Sequence, residues 1–282
     1  MRLAVTLVAA LTLGVSASQN DAPLPAPLQQ MVEAERAFAA RALVAGWKQS
    51  FLEYFSDAAI GFDGGAGPAR DQIRKNPDPP PDFQLLWEPR YGDVAASGEM
   101  GYLTGPSTSI NPARSNAPRF SVYASVWKRE ADGTFKVVMD VGVSTPDFVT
   151  FAPGFVRAPQ GDRYTGSDTA DAATRSLAGA DAALTKAAIA SQADAYRGRL
   201  AAAGRLHRPN VFPLIGEDAA LAWLRTQPAY SAGEHRFAEV ARSRDLGYTW
   251  GTFALPESKG FYTRVWVRGR DGSWKVALDV VQ

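Results

Sequence analysis

The chain reads Tyr123-Ala-Ser-Val-Trp-Lys-Arg-Glu-Ala-Asp-Gly-Thr-Phe-Lys-Val137, and 139 positions later it reads Tyr262-Thr-Arg-Val-Trp-Val-Arg-Gly-Arg-Asp-Gly-Ser-Trp-Lys-Val276. Each stretch runs up to a Trp, passes an Asp-Gly pair, and resumes with an aromatic residue. An Asp-Gly pair between two strand-like runs is a strong local signal for a tight β-hairpin. Both halves of the chain are therefore predicted to end in an antiparallel hairpin.

The self-match also extends backwards along the chain. Residues 88–102 align without a gap with residues 234–248, which lie 146 positions later, and the second copy has seven fewer residues before its Tyr-x-x-x-Trp. Known short repeats have periods of up to about 50 residues, whereas these copies are domain-sized. The sequence therefore predicts a duplication into two domains, at 28–146 and 174–282, joined by a linker at 147–173.

Each copy begins with helical patterns and ends with strand patterns. The predicted helices are 32–45, 47–55 and 69–75 in the first copy, and 177–200 and 218–226 in the second. The predicted strands are 59–63, 85–91, 99–104, 119–129 and 135–144, then 205–208, 236–240, 246–253, 260–268 and 273–281. Helices followed by a strand meander indicate an α+β fold, with helices packed on one face of a curved antiparallel sheet.

The N-terminus has the pattern of a secretory signal peptide. Arg2 precedes an apolar run over 3–15, and small residues follow up to Ala17. The run is shorter than the roughly 20 residues that span a bilayer. We expect cleavage after residues 1–17 and a secreted or periplasmic protein that does not stay inserted in the membrane. A buried N-terminal helix and a retained anchor are the alternatives.

Composition excludes several classes of protein. The chain has no cysteine, and its 30 basic residues balance its 29 acidic residues. The sequence thus predicts no disulfide and no nucleic-acid partner. It also contains no P-loop, no dinucleotide fingerprint, no Cys/His cluster and no nucleophile elbow. We therefore predict neither a cofactor nor a metal.

The order of elements resembles the NTF2-like superfamily. Both copies close with Trp-x-x-x-x-Asp-Gly-x-[Phe/Trp]-Lys-Val, and Gly216-Glu-Asp-Ala219 resembles the turn that starts the third helix in the SnoaL-like and DUF4440 branch. The resemblance covers nearly all of 31–145 and 177–282. It implies two cone-shaped domains, each with a pocket. Related proteins often pair two sheets as a homodimer, so the expectation here is an intrachain pseudo-dimer.

Asp63 is the first candidate catalytic residue. The stretch from Phe55 to Asp63 resembles that of ketosteroid isomerases, in which the aspartate at this position is the general base. A carboxylate in an apolar pocket gains pKa and can shuttle a proton. Tyr123 could supply a hydrogen bond to the substrate, although the first helix offers Phe38 where an isomerase has a tyrosine. The alternative is that Asp63 caps the turn at Gly64-Gly65.

Four further residues are candidate ligand-binding residues. His207 and Arg208 lie where the second copy lacks the carboxylate, and alternation lets only one of them face a pocket. An arginine there would bind an acid or a phosphate. Trp127 and Trp266 could stack on a ligand, or they could belong to the core. The shared pairs Glu88/Arg90 and Glu234/Arg236 indicate structural ion pairs or contacts between the copies.

Three functions remain open. The favoured hypothesis is binding of a small, largely apolar ligand in one or both cones, or of a partner on the paired sheets. The second is cofactor-free isomerase, cyclase or dehydratase chemistry with Asp63 as the general base. The third is an assembly module without an open pocket.

Overall fold

The computed structural model describes residues 23–80 and 82–282, and the predicted signal peptide at 1–17 lies outside them. The fold is mixed α+β with two sheets. The helices are α1 Ala26–Ala45, α2 Trp47–Tyr54, α3 Ala69–Lys75, α4 Ala170–Ala188, α5 Gln192–Tyr196 and α6 Glu217–Leu224. The first-sheet strands are β1 Phe55–Gly61, β2 Gly67–Pro68, β3 Gln84–Trp87, β4 Tyr91–Val94, β5 Met100–Asn111, β6 Ser115–Arg129, β7 Phe135–Ser144 and β8 Val156–Arg157. The second-sheet strands are β9 Leu200–His207, β10 Leu214–Ile215, β11 Ala232–Val240, β12 Leu246–Leu255, β13 Ser258–Arg268 and β14 Trp274–Val281.

The two sheets have matching topologies. The first runs β2-β1-β7-β6-β5-β4-β8, with β3 also paired to β5, and the second runs β10-β9-β14-β13-β12-β11. In each, the strand that follows the opening helices lies parallel to the last strand, while the meander is antiparallel. The sheets are therefore mixed, and the prediction of purely antiparallel sheets was wrong. Pattern alone does not reveal that the first and last strands become neighbours.

Element boundaries depart from the prediction where a cap or turn intervenes. The helix predicted over 177–200 is two helices, because Ser191 Oγ accepts a hydrogen bond from the Asp194 amide at 3.2 Å and starts α5. Gly198 then turns with φ +66°, and β9 begins at Leu200. The predicted linker is also partly regular, since it contributes β8 to the first sheet. No helix of the described residues is long and apolar enough to cross a membrane.

Each half packs its helices against the inner face of its own sheet. In the first half, α1 to β7, Phe38 of α1 contacts Trp87 and Phe51 at ring-centroid distances of 4.8 Å. In the second half, α4 to β14, Leu177 and Leu184 of α4 share a core cluster with Trp266 of β13. Side chains of successive strand residues point to opposite faces, so Trp127 and Trp266 face inward.

The outward faces of the two sheets share one hydrophobic cluster. Val122, Ala124 and Val126 of β6 lie in it together with Val265 of β13 and Leu278 of β14. All five are at most 2 % exposed. Burial of an apolar sheet face stabilises by roughly 25 cal/mol per Å² removed from water. The halves therefore contact each other through apolar sheet surface.

Equivalent residues of the two copies contact each other at one edge of this cluster. The Ser97 amide donates to Ser243 Oγ at 3.1 Å, and the Ser243 amide donates to Ser97 Oγ at 3.0 Å. These serines are 146 positions apart, the spacing of the self-match. A contact repeated with its partners exchanged is the pattern that a two-fold axis produces.

Two further contacts repeat in the same way. The Ala96 amide donates to Asp245 Oδ2 at 3.1 Å, and the Arg242 amide, its equivalent, donates to Glu99 Oε1 at 2.5 Å. Asp245 and Glu99 are themselves equivalent positions.

The segment after β8 ties the halves together. Arg163 donates to the Val94 carbonyl at 2.9 Å and to Asp245 Oδ2 at 2.6 Å, and it also pairs with Asp93. Both carboxylates are at most 1 % exposed. One guanidinium thus contacts one buried acid from each half, and Arg157 also pairs with Asp93 at 2.9 Å.

Candidate functional site

A cavity of about 1080 Å³ opens at the end of the first half. Its walls come from α2, β1, α3 and β7, and the ends of β11, β12 and β13 cover it from the second half. The aromatic wall residues are Trp47, Phe51, Phe55, Phe62, Phe253 and Phe261. Phe62 contacts Trp250 and Phe261 of the second half at 5.5 and 5.0 Å. The cavity is therefore bounded by both halves.

Asp140 brings a carboxyl group to this cavity. It lies on β7 directly opposite Ser125 of β6. Among residues 23–80 and 82–282, no lysine or arginine lies within 4.0 Å of its carboxylate. Burial, followed by the nearby charge of Glu35, raises the pKa of Asp140 well above its usual value. These surroundings favour the protonated form of the carboxyl group, and a cation beside it would favour the ionised form.

Glu35 and Tyr123 lie deeper in the same half. Glu35 is fully buried on α1 and accepts hydrogen bonds from Trp87 Nε1 at 2.6 Å, Ser125 Oγ at 2.6 Å and Trp127 Nε1 at 2.8 Å. Burial raises the pKa of Glu35 although these donors oppose the rise. The Tyr123 hydroxyl is buried, and it has no hydrogen-bond partner within the part of the chain that the structure describes.

The equivalent interior of the second half holds a network of ion pairs. Arg264, fully buried, donates from Nη1 to Asp181 Oδ1 at 2.8 Å and from Nε to Asp279 Oδ2 at 2.6 Å. Arg208 Nη1 contacts Asp279 Oδ1 at 2.6 Å. Tyr262 donates to Asp181 Oδ2 at 2.7 Å, and its ring centroid lies 3.7 Å from the Arg264 guanidinium. The charges of two carboxylates and two guanidiniums balance in this interior, and His235 Nδ1 also lies 2.6 Å from Asp181 Oδ2.

The network sets the protonation of its acids. Burial acts against ionisation of Asp181 and Asp279. For Asp181, the charge of Arg264 and the hydrogen bonds from His235, Tyr262 and Arg264 together outweigh burial and hold its pKa below the usual value. Arg208 and Arg264 together do the same for the pKa of Asp279. Equivalent acids in the two halves are therefore shifted in opposite directions, since the pKa of Asp140 is raised.

Strand register identifies what the first half has in place of the two arginines. Ile60 pairs with Met139, and Arg205 pairs with Leu278, which is the equivalent of Met139. Asp63, three residues after Ile60, thus corresponds to Arg208, three residues after Arg205. Ser125 corresponds to Arg264 in the same way, 139 positions apart. A carboxylate and a hydroxyl stand where the second half has two cations.

The structure places Asp63 at the mouth of the cavity, on an exposed turn. Its amide donates to Gln72 Oε1 at 3.2 Å. The turn is closed by the Gly65 amide on the Phe62 carbonyl at 3.3 Å. Asp63 shares the cavity with Asp140, whereas Tyr123 lies behind the cavity wall. The role of Asp63 as a general base stays a prediction.

The four predicted ligand-binding residues lie within packed interiors. Trp127 bonds to Glu35 and Ser125, and Trp266 Nε1 donates to Thr249 Oγ1 at 2.9 Å. Arg208 belongs to the ion-pair network. His207 is fully buried, and neither ring nitrogen has a partner among the described residues. Burial, reinforced by Arg205 and Arg208, lowers the pKa of His207 to about 3. None of the four lines the cavity of the first half.

The shared Glu/Arg pairs form within each half. Arg90 Nη2 lies 2.6 Å from Glu88 Oε2, and Arg236 Nη2 lies 2.7 Å from Glu234 Oε2.

Sequence reasoning missed Asp140 and Glu35 as site residues. The signal was present in the self-match, because Asp140 aligns with Asp279 while Ser125 aligns with Arg264. A conserved acid whose cation is replaced in one copy marks that copy as different.

Comparisons with known proteins return solved structures only. No protein-family model and no curated protein matches the chain. The similar structures are NTF2-like and ketosteroid isomerase-like proteins. One is an NTF-2 like protein of unknown function from Burkholderia xenovorans LB400, with 16% identity over 41% of this chain and 85% of that chain, at a TM-score of 0.32.

Two others are similar over the same share of the chain. A ketosteroid isomerase-like protein from Erwinia carotovora atroseptica has 12% identity over 43% of this chain and 98% of that chain, at a TM-score of 0.34. ActVI-ORFA from Streptomyces coelicolor has 12% identity over 42% of this chain and 96% of that chain, at a TM-score of 0.32.

Proposed function

We propose that the chain is an exported tandem NTF2-like protein, of the SnoaL-like and DUF4440 branch, whose first half binds a small, largely apolar ligand. The observation that carries the proposal is the cavity of about 1080 Å³ with its aromatic wall and the carboxyl group of Asp140 on β7. Small-molecule sites are typically cavities of about 300–1,000 Å³, mostly apolar, with a few placed polar groups.

The proposal includes pairing of two cone domains, 28–146 and 174–282, as an intrachain pseudo-dimer. The shared cluster of the two sheets and the exchanged contacts of Ser97 and Ser243 support it. A covalent link makes such pairing intramolecular and independent of protein concentration. The pairing also places the second half over the mouth of the cavity.

Gly142 offers a direct test of binding. It lines the cavity on β7, and a Cβ there would meet only the Val122 carbonyl oxygen at 3.7 Å. Gly142→Leu should occupy the part of the cavity beside Asp140 without disturbing the strand, and it should weaken binding of the neutral dye Nile red by about tenfold or more. The matched control is Gly179→Leu on α4, where an added Cβ meets nothing within 4 Å. Equal dye binding by both variants would overturn the proposal.

The natural ligand and the export are tested together. Native mass spectrometry of protein purified from the periplasm of its own cell should show a co-purified small molecule that is absent from Gly142→Leu. The intact mass should correspond to a chain that begins after residue 17. A full-length chain in the cytoplasmic fraction would contradict the export.

Cofactor-free proton-transfer chemistry with Asp63 as the general base is the second candidate. This second candidate is supported by the position of Asp63 and Asp140 in the lining of the same cavity. Binding stands first, because the exposed carboxylate of Asp63 lacks the desolvation that poises a general base. If the co-purified molecule is turned over, Asp63→Asn should reduce the turnover about a hundredfold or more without changing the affinity.

A further inference from the structure

The second half has a buried cation at a position where the first half has none. In it, the Arg264 guanidinium lies between Asp181 and Asp279 and over the Tyr262 ring. The first half has the corresponding Glu35, Asp140 and Tyr123, but it has Ser125 at the position of Arg264. The acids and the ring are retained, and the cation is missing.

The surroundings of Asp140 contain nothing that replaces this cation. In the described ranges, the charged groups at the cavity other than Asp140 are Asp63, Glu234 and Lys259, which lie at its mouth. Glu35 is satisfied by three donors from side chains of its own half. The Tyr123 side chain is buried, and its hydroxyl has no hydrogen-bond partner among the residues that the structure describes. A carboxyl group in an apolar cavity wall is costly to ionise without a counter-ion, so a ligand that supplies the counter-ion gains free energy there.

We infer that the ligand of the first half carries an organic cation, a guanidinium or a primary ammonium, which pairs with Asp140 where Arg264 pairs with Asp279 in the second half. The inference rests on the proposed function and names the chemical class of its ligand. The apolar remainder of the ligand lies along the aromatic wall toward Phe62 and Phe261.

The inference is tested with two probes of the same shape. 3-Phenylpropylguanidinium carries the cation, and 3-phenylpropylurea is its neutral isostere. Isothermal titration calorimetry of the full-length mature protein should show the guanidinium binding at least tenfold more tightly than the urea. Asp140→Asn should weaken the guanidinium by about tenfold to a hundredfold, the range for a hydrogen bond to a charged group, and leave the urea within about twofold.

Two variants serve as controls. Asp63→Asn removes an exposed carboxylate at the mouth and should weaken the guanidinium by less than about threefold. Ser125→Arg supplies the cation from within the chain and should abolish guanidinium binding. If Ser125→Arg does not fold, Asp140→Asn still decides the matter.

The outcomes separate this inference from the proposed function. Equal binding of both probes, or tighter binding of the urea, overturns the cation and leaves the binding function intact, provided that Gly142→Leu abolishes both. Tighter binding of the neutral 4-phenylbutan-2-one than of the guanidinium also overturns it. If the protein binds Nile red but neither the guanidinium, the urea nor the ketone, only the inference of a cationic ligand is overturned. Failure of Nile red as well overturns both proposals.

Discussion

Asp140 and Asp279 occupy equivalent positions and have opposite surroundings. Asp279 contacts two arginines, whereas Asp140 faces the cavity. Removing one partner of a buried ion pair costs about 3–5 kcal/mol, because an uncompensated charge is left behind. We expect Asp279→Asn to lose this much free energy of unfolding in urea at pH 7, and Asp140→Asn to lose none or to gain. Equal losses would contradict the asymmetry of the two halves.

The same acid sets a pH dependence. Because the pKa of Asp140 is raised in the folded protein, its contribution to stability is complete below about pH 4, the value of a free aspartate, and is lost as pH rises through the folded pKa. Wild type should therefore fall progressively below Asp140→Asn in free energy of unfolding as pH rises. Parallel stability curves for the two proteins would argue against a buried acid at this position.

His207 gives a dependence of the opposite sign. Burial lowers the pKa of His207 to about 3. The contribution of the neutral imidazole to the free energy of unfolding is therefore complete above about pH 6.5 and is lost as pH falls toward 3. Between pH 7 and pH 5 this loss amounts to about 2 kcal/mol. We expect His207→Leu to remove that slope in urea denaturation. An unchanged slope would place the titration on another group.

At the scale of elements, the segment after β8 lies in the predicted linker and contacts both halves through Arg163. Arg163 pairs with Asp93 and Asp245, which are both buried. Arg163→Ala should therefore cost about 3–5 kcal/mol in chemical denaturation. Arg270→Ala is the matched control, because Arg270 lies 3.4 Å from Asp162 on the surface with both side chains more than 70 % exposed, and its loss should stay within about 0.5 kcal/mol. Similar losses from both variants would show that the tie does not carry stability.

Periodicity located some elements residue for residue and others only in part. Strand β7 and helix α3 have their predicted limits, because an Asp-Gly turn and a Gly/Pro turn mark where they begin. The break between α4 and α5 depends on the Ser191 cap, which hydropathy does not register. Of the cavity residues, Asp63 was identified from a resemblance. The self-match aligns Asp140 with Asp279 and Ser125 with Arg264, but the contact between Arg264 and Asp279, which gives this alignment its meaning, is visible only in the structure.

At the scale of the whole molecule, the shared cluster couples the two halves. Leu278 is 1 % exposed and contacts that cluster from the second sheet. Leu278→Ala should cost about 2–5 kcal/mol. Hydrogen exchange measured by mass spectrometry should show faster exchange in β6 of the first sheet as well as in β14. Unchanged exchange in β6 would mean that the halves unfold independently.

The filled interior of the second half has a consequence for stoichiometry. A symmetric pair of identical subunits would offer two equal binding sites and the opportunity for one to influence the other. Here Arg264 and Arg208 occupy the second interior with covalently attached charges. If the first half binds as proposed, saturation should therefore follow a simple hyperbola with one molecule taken up per chain.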